Sequence, residues 1–251
     1  MKKFYNFLYK LKVEFRNIFY MPIIKYKISD NLNYDMYWDI RNKSERKNPH
    51  ILHEYRAKLL YDFILENNLS LNSNILDIGS GDGRQLKAIQ NIMDKLSITA
   101  SDISMKSIEI LSEDFETINI NLDKNFVTKD YKIITAFEVL EHLEKPEEDL
   151  MYFLSKTDYA FIFSVPNTGY FFHRLRLFFG SFPMQWKSFP GEHLRFWTYK
   201  DMEWWLSCYL GLNKNKYKII CYAYLFPFLK NIFPFNLPLF AKGLFIQINK
   251  N

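Results

Sequence analysis

Cysteine is scarce in this chain: two occur, Cys208 and Cys221, thirteen positions apart. That spacing makes neither a disulfide framework nor a paired-ligand zinc motif, and it fits a reducing, cytoplasmic setting. Long apolar runs are missing as well. A membrane-spanning helix needs about 18–20 consecutive apolar residues, and the longest candidate, IICYAYLFPFL, stops short and is broken by Pro227. Lys10 and Lys12 interrupt the apolar positions near the N terminus, so no secretory leader is expected. Nor is positive charge spread along the chain. Residues 1–30 hold seven basic and two acidic residues, which is the whole net charge of +5, and the other 26 basic and 26 acidic residues balance. A nucleic-acid-binding face needs a basic stripe that this distribution lacks, so no nucleic-acid partner is expected.

What is present is the composition of a folded protein, 48% hydrophobic and 24% charged. Aromatics are abundant, with 24 Phe and 17 Tyr, and point to apolar pockets or interfaces beyond the core. Phe4, Phe7, Leu8, Leu11, Phe15, Ile18 and Phe19 recur at helical spacing and predict an amphipathic helix over residues 3–20. We read it as a lid or docking helix packed on the body; the alternative is a helix lying on an anionic membrane surface. Residues 1–50 therefore form a basic arm and polar connector, and 51–251 the main domain.

Within that domain strands and helices alternate. A helix is predicted near 53–67, with Tyr55, Leu59, Leu60, Phe63 and Ile64 on one face. NILDI, SITAS, TININL, YKIITAF and YAFIFSVP read as five strands with helical segments between them. This rhythm predicts an α/β fold with a doubly wound, mostly parallel seven-stranded sheet, completed by KYKIICYAYL and GLFIQIN. An aromatic and basic insertion at 167–196 breaks the rhythm, TYKDMEWWLSCYLG follows as a helix, and the proline-rich stretch 226–241 reads as a loop.

Glycine is rare, eight in 251 residues, yet three of the eight fall within five positions of NILDIGSGDGRQL. Glycine between a strand and a helix permits positive φ and lets a ligand approach bare backbone. A dinucleotide site wants G-x-G-x-x-G, but the third glycine's position is Arg84, and Gly79, Gly81 and Gly83 alternate behind Asp77. The pattern Asp-x-Gly-x-Gly-x-Gly resembles the first motif of class I S-adenosylmethionine-dependent methyltransferases. Asp102, twenty-one residues past Gly81, then FEVLEHL (137–143) and SVPN (164–167), extend the likeness over about 76–167, and more loosely to HLRFWTYKDM. FEVLEHL and SVPN together look like the superfamily's general small-molecule branch, including the ubiquinone-pathway O-methyltransferases.

That resemblance implies S-adenosylmethionine as cofactor and a Rossmann-like methyltransferase fold. Gly79, Ser80 and Gly81 would approach its methionine part, and Asp77 would balance the cationic end. Asp102, with Ile103 beside it, would take the ribose hydroxyls. Asn121 and Leu122 would flank adenine, Arg56 would meet the ligand carboxylate, and Phe137 and Glu138 would line the site. An alcohol acceptor gains from a general base, for which His142 and His193 are the candidates, with Glu141 adjacent. In some relatives the residues matching Glu138, Glu141 and His142 are associated with magnesium; a metal-free site is the preferred expectation, because magnesium favours oxygen ligands.

The expected acceptor is a small hydroxylated metabolite, such as a sugar or a nucleotide-linked polysaccharide precursor. Arg174, Arg176, Lys187 and Arg195 offer cations for a phosphate on it. Two other readings stand beside this one: a quinone or lipid acceptor at a membrane surface, met through residues 1–20, and a non-catalytic cofactor-binding scaffold.

Overall fold

The computed structural model describes residues 2–21, 35, 49–120, 131–183, 192–224 and 238–250. Its centre is a seven-stranded sheet ordered β3-β2-β1-β4-β5-β7-β6. The strands are β1 (Asn74–Ile78), β2 (Ser97–Asp102), β3 (Glu116–Asn119), β4 (Tyr131–Phe137), β5 (Thr157–Pro166), β6 (Tyr217–Tyr224) and β7 (Ala241–Asn249). The first five are mutually parallel, while β7 runs antiparallel to both β5 and β6. The order reverses at β1 and β4. Their carboxyl ends diverge there and open the crevice where such sheets take ligands.

Side-chain alternation sorts the strands' residues onto two cores. Leu76, Ile78, Ile134, Phe161 and Phe163 pack on one face. Ile75, Ile133, Ala160 and Ile162, their neighbours in sequence, pack on the other. With both faces covered, β5 carries six consecutive buried residues, as a doubly covered strand must.

The helices on these faces are α2 (Ile51–Glu66), α3 (Arg84–Gln90), α4 (Met105–Leu111) and α5 (Pro146–Lys156). In α2 the buried face comprises Arg56, Ala57, Leu60, Phe63 and Ile64. Tyr55, expected inward, is exposed instead. The helix is rotated so that the Arg56 guanidinium reaches the crevice. Beyond β5 come α6 (Phe171–Phe178) and α7 (Tyr199–Trp204). The long helix expected from 198 changes to a π-helical turn over Trp205–Tyr209, with Leu210 N–H donating to the Trp205 carbonyl at 2.9 Å. The proline-rich stretch falls largely outside the described residues.

The arm is helical, α1 (Lys2–Phe19), and lies against α6. Ile18 is buried with Tyr170 and Phe172. Arg176, almost fully buried on α6, donates to the carbonyls of Asn17, Ile18 and Tyr20 at the end of α1. Glu14 pairs with Lys242.

His173 on α6 meets the Tyr170 ring edge-on, and burial pulls its imidazole down to about 4. The unfolded chain binds a proton near pH 6.5 that the folded chain refuses until about pH 4. His173 therefore adds nothing to pH dependence above 6.5 and destabilises the fold as pH falls through this window. Thermal melts should show a smaller loss of Tm between pH 6.5 and 4 in His173→Gln than in the parent.

Candidate active site

The chain leaves β1 through Gly79, Gly81 and Gly83, all at positive φ. A Cβ on Gly79 would lie 2.6 Å from Val139 Cγ2, so neither conformation nor space admits a side chain there. Gly81 N–H donates to Asp102 Oδ2 at 2.9 Å, and Ser104 N–H donates to Oδ1, also at 2.9 Å. One carboxylate at the end of β2 thus ties the glycine turn to the start of α4. Each oxygen keeps acceptor capacity for a further donor, which suits a pair of adjacent hydroxyls. Burial holds this carboxyl above its ordinary range.

Asp77 is buried under the turn. Its Oδ1 accepts from Thr135 Oγ1 at 2.6 Å and its Oδ2 from Ser80 Oγ at 2.8 Å. Burial pushes its carboxyl up to about 6 against these bonds. Ser80 Oγ also accepts from Ser101 N–H, while Ser80 N–H donates to the Ser101 carbonyl and its own carbonyl accepts from Gly83 N–H, so the residue braces the turn. Ile103 follows Asp102 at the crevice edge and is half-buried. Asn121 and Leu122, the residues expected beside adenine, lie outside the described residues.

Across the crevice, β4 ends at Phe137 and the chain turns at Glu138, a non-glycine residue at φ 60°. Such a strained residue needs its surroundings to hold it. Glu138 N–H donates to the Ser164 carbonyl, and its Oε1 accepts from Ser164 Oγ at 2.8 Å and lies 3.2 Å from Arg56. Tyr222 O–H donates to the same oxygen at 3.3 Å. Arg56 also lies over the Phe137 ring, and its buried Nε lacks a hydrogen-bond partner among the described residues.

Beyond Glu138, a short 3₁₀ turn carries Glu141 and His142. Its Glu141 carbonyl accepts from the N–H groups of Leu194 and Arg195 at 2.7 and 3.1 Å. Those bonds seat the end of the insertion on the turn and set His193 edge-on to His142, ring centroids 4.7 Å apart. His142 Nδ1 sits 2.7 Å from the Glu192 carbonyl. A carbonyl only accepts, so Nδ1 carries the proton and Nε2 keeps its lone pair. Nε2 lies 3.9 Å from Glu141 Oε1. Glu141 is buried with neither oxygen hydrogen-bonded among the described residues, and burial, then Glu138, hold its carboxyl well above the carboxylate range. Burial, with His142 adding, pulls His193 down to about 4.

The fold therefore brings together Glu141, His142 and His193, whose ligand atoms lie within 4.8 Å of one another. Glu138 is not among them; Arg56, Ser164 and Tyr222 hold it, and His193 stands where the resemblance implied Glu138. The expected phosphate-binding cations do not converge. Arg174 donates to the Gly169 carbonyl, Arg176 to the end of α1 and Arg195 to the Glu144 carbonyl, while Lys187 lies outside the described residues. Main-chain acceptors claimed these arginines. Thr135, Ser164 and Tyr222 escaped the sequence reading, although Thr135 pairs with Asp77 in the sheet register. Asp35 escaped too; it accepts from Ser104 Oγ at 2.5 Å, beside Asp102.

Solved proteins share this strand arrangement. The fold is similar to the plantazolicin methyltransferase BpumL in complex with SAH, at TM-score 0.57 and 16% identity over 89% of this chain and 92% of that one. It is also similar to magnesium protoporphyrin IX methyltransferase (ChlM) from Synechocystis PCC 6803 with bound SAH, at TM-score 0.51 and 14% identity over 96% and 95%. The class is that of S-adenosylmethionine-dependent methyltransferases with the class I fold. A family model described as a methyltransferase domain matches residues 50–209, more than half of the chain, and the chain belongs to that family. The mitochondrial ubiquinone biosynthesis O-methyltransferase of Schizosaccharomyces pombe (strain 972 / ATCC 24843) is 26% identical over 117 residues, which is 43% of this chain. The match spans 42% of that relative's length.

S-adenosylmethionine is the cofactor of this class, and the residues fit it. The glycine turn lies at the carboxyl end of β1 beside Asp102, whose two oxygens keep acceptor capacity for hydroxyls. Calorimetry should find S-adenosylmethionine binding and no nicotinamide dinucleotide binding. Gly79→Val should abolish the first, and Asp102→Ala should weaken it about 10–100-fold by deleting charge-assisted hydrogen bonds.

Proposed function

We propose that this methyltransferase acts on a hydroxyl oxygen of a small acceptor held between the end of β4 and the insertion. The Glu141–His142–His193 cluster carries this reading: a buried carboxyl without donors among the described residues, and an imidazole whose Nδ1–H bonds the Glu192 carbonyl and turns Nε2 to the cluster. S-adenosylmethionine, when bound, supplies a sulfonium-activated methyl group and its own leaving group. The chain's part is alignment and proton removal. The glycine turn, Asp102 and Arg56 would hold the cofactor. His142 Nε2 takes the acceptor's proton as the oxygen–methyl bond forms, with its Nδ1–H held by the Glu192 carbonyl. His193 and Phe196, ring centroids 6.3 Å apart, offer an aromatic wall to an acceptor ring.

A sugar or nucleotide-linked polysaccharide precursor fits as a hydroxylated acceptor. A second reading is an uncharged quinone-type or lipid-like hydroxyl. The partial likeness to a ubiquinone biosynthesis O-methyltransferase supports that second reading. The same three side chains would also hold a divalent cation, which would polarise the acceptor oxygen. One carboxylate and two imidazoles suit a first-row transition metal better than magnesium, the ion the resemblance implied.

The test is S-adenosylhomocysteine release from a panel of sugars, nucleotide-sugars, catechols and hydroquinones. Silence across the panel with cofactor bound would favour a non-catalytic scaffold. With an acceptor in hand, His142→Ala should lower kcat by about 10²–10⁴ while cofactor affinity stays near the parent's. Parent-level turnover in both His142→Ala and His193→Ala would reject proton transfer by histidine. Loss of activity in chelator, restored by zinc or manganese, would assign the cluster to a metal.

A further inference from the structure

The arm helix presents apolar residues on two faces. Leu11 and Ile18 turn inward to the Tyr170–Phe172 cluster. At 100° per residue, Phe19 and Lys12 fall about a quarter turn from that face, with Tyr5, Arg16 and Tyr9 beyond them toward the opposite side, and all five are exposed. Phe19 is 69% exposed and meets Phe179 at 5.2 Å between ring centroids, and Phe179 meets Phe178, itself 82% exposed, at 5.3 Å. The outer side of α1 thereby continues onto the end of α6 as one aromatic surface. A contiguous exposed apolar patch of this kind marks an interaction site.

Charge selects the occupant. α1 carries five basic residues and one acidic residue, Glu14, and Glu14 turns inward to Lys242. Residues 168–183 contain no acidic residue at all. A second copy of the chain would meet like charge on this face, whereas aromatic rings among lysine and arginine match an anionic bilayer's interface. Arg176 fixes the two helices together through three main-chain carbonyls, so the rings are held in place before contact and little ordering entropy is lost on docking.

We propose that the α1–α6 face docks on the surface of an anionic lipid bilayer, with Phe19, Phe178 and Phe179 entering the headgroup region and Lys12 and Arg16 meeting lipid charge. The proposal stands apart from the identity of the acceptor. The test is co-sedimentation of the full chain with vesicles of phosphatidylcholine alone and of phosphatidylcholine with about 30% phosphatidylglycerol, at low and high salt. Binding should require the anionic lipid and weaken with salt. Phe178→Ser combined with Phe179→Ser should reduce partitioning about tenfold or more, and so should Lys12→Glu with Arg16→Glu, while calorimetric S-adenosylmethionine binding confirms that both variants fold. Failure of the parent to sediment at low salt would overturn the proposal, as would equal binding to both vesicles. Concentration-dependent self-association lost in the phenylalanine variant, without vesicle binding, would assign the face to a second copy instead.

Discussion

A single carboxylate organises the crevice. Asp102 accepts one main-chain N–H from the turn after β1 and another from the start of α4, so the exits of two parallel strands share one anchor. Parallel strands deliver their turns to the same edge of the sheet, but nothing in strand pairing fixes the turns relative to each other. The carboxylate does. Asp77, braced by Thr135 and Ser80 one layer below, supports the same turn from beneath. Two desolvated acids stacked under an opening are costly to keep charged, and a cationic ligand above them would offset that cost.

The acceptor side is built on a different principle. Here the main chain does the positioning: the Glu141 carbonyl receives two N–H groups from the insertion, and His142 leans on the Glu192 carbonyl. Side chains distant in sequence meet because backbone groups, which must find partners when buried, find them in each other. Glu138 closes the arrangement. Its positive φ redirects the chain out of β4, and its carboxylate is spent on Arg56, Ser164 and Tyr222. Gly243, paired with Tyr222 across β6 and β7, has no Cβ because the tyrosine ring occupies that place.

Much of this was legible in the chain before any coordinates. NILDI bounded its strand to the residue, and the alternation of apolar and polar segments led to the sheet. The glycine triplet and the carboxylate after SITAS located the crevice, because backbone conformation and charge are written locally. What required three dimensions was direction. Helical periodicity placed Tyr55 inward, yet a charged Arg56 takes the buried face because a carboxylate and a ring await it there. The resemblance grouped Glu138 with Glu141 and His142, yet Glu138, at positive φ, turns to Arg56, Ser164 and Tyr222, and His193 from fifty residues downstream stands beside the other two. Arginines in the insertion resembled phosphate ligands, and whether an arginine faces a ligand or a carbonyl is decided by packing that no local pattern records.

The clasp between Arg176 and the end of α1 joins residues 159 positions apart. A chain emerging from the ribosome at about 5–20 residues per second would make the first helix about 8–30 s before its partner exists. Throughout that interval the α6 residues that bury the inner face of the helix do not yet exist. The order of synthesis thus gives this segment a period of exposure that the finished fold conceals.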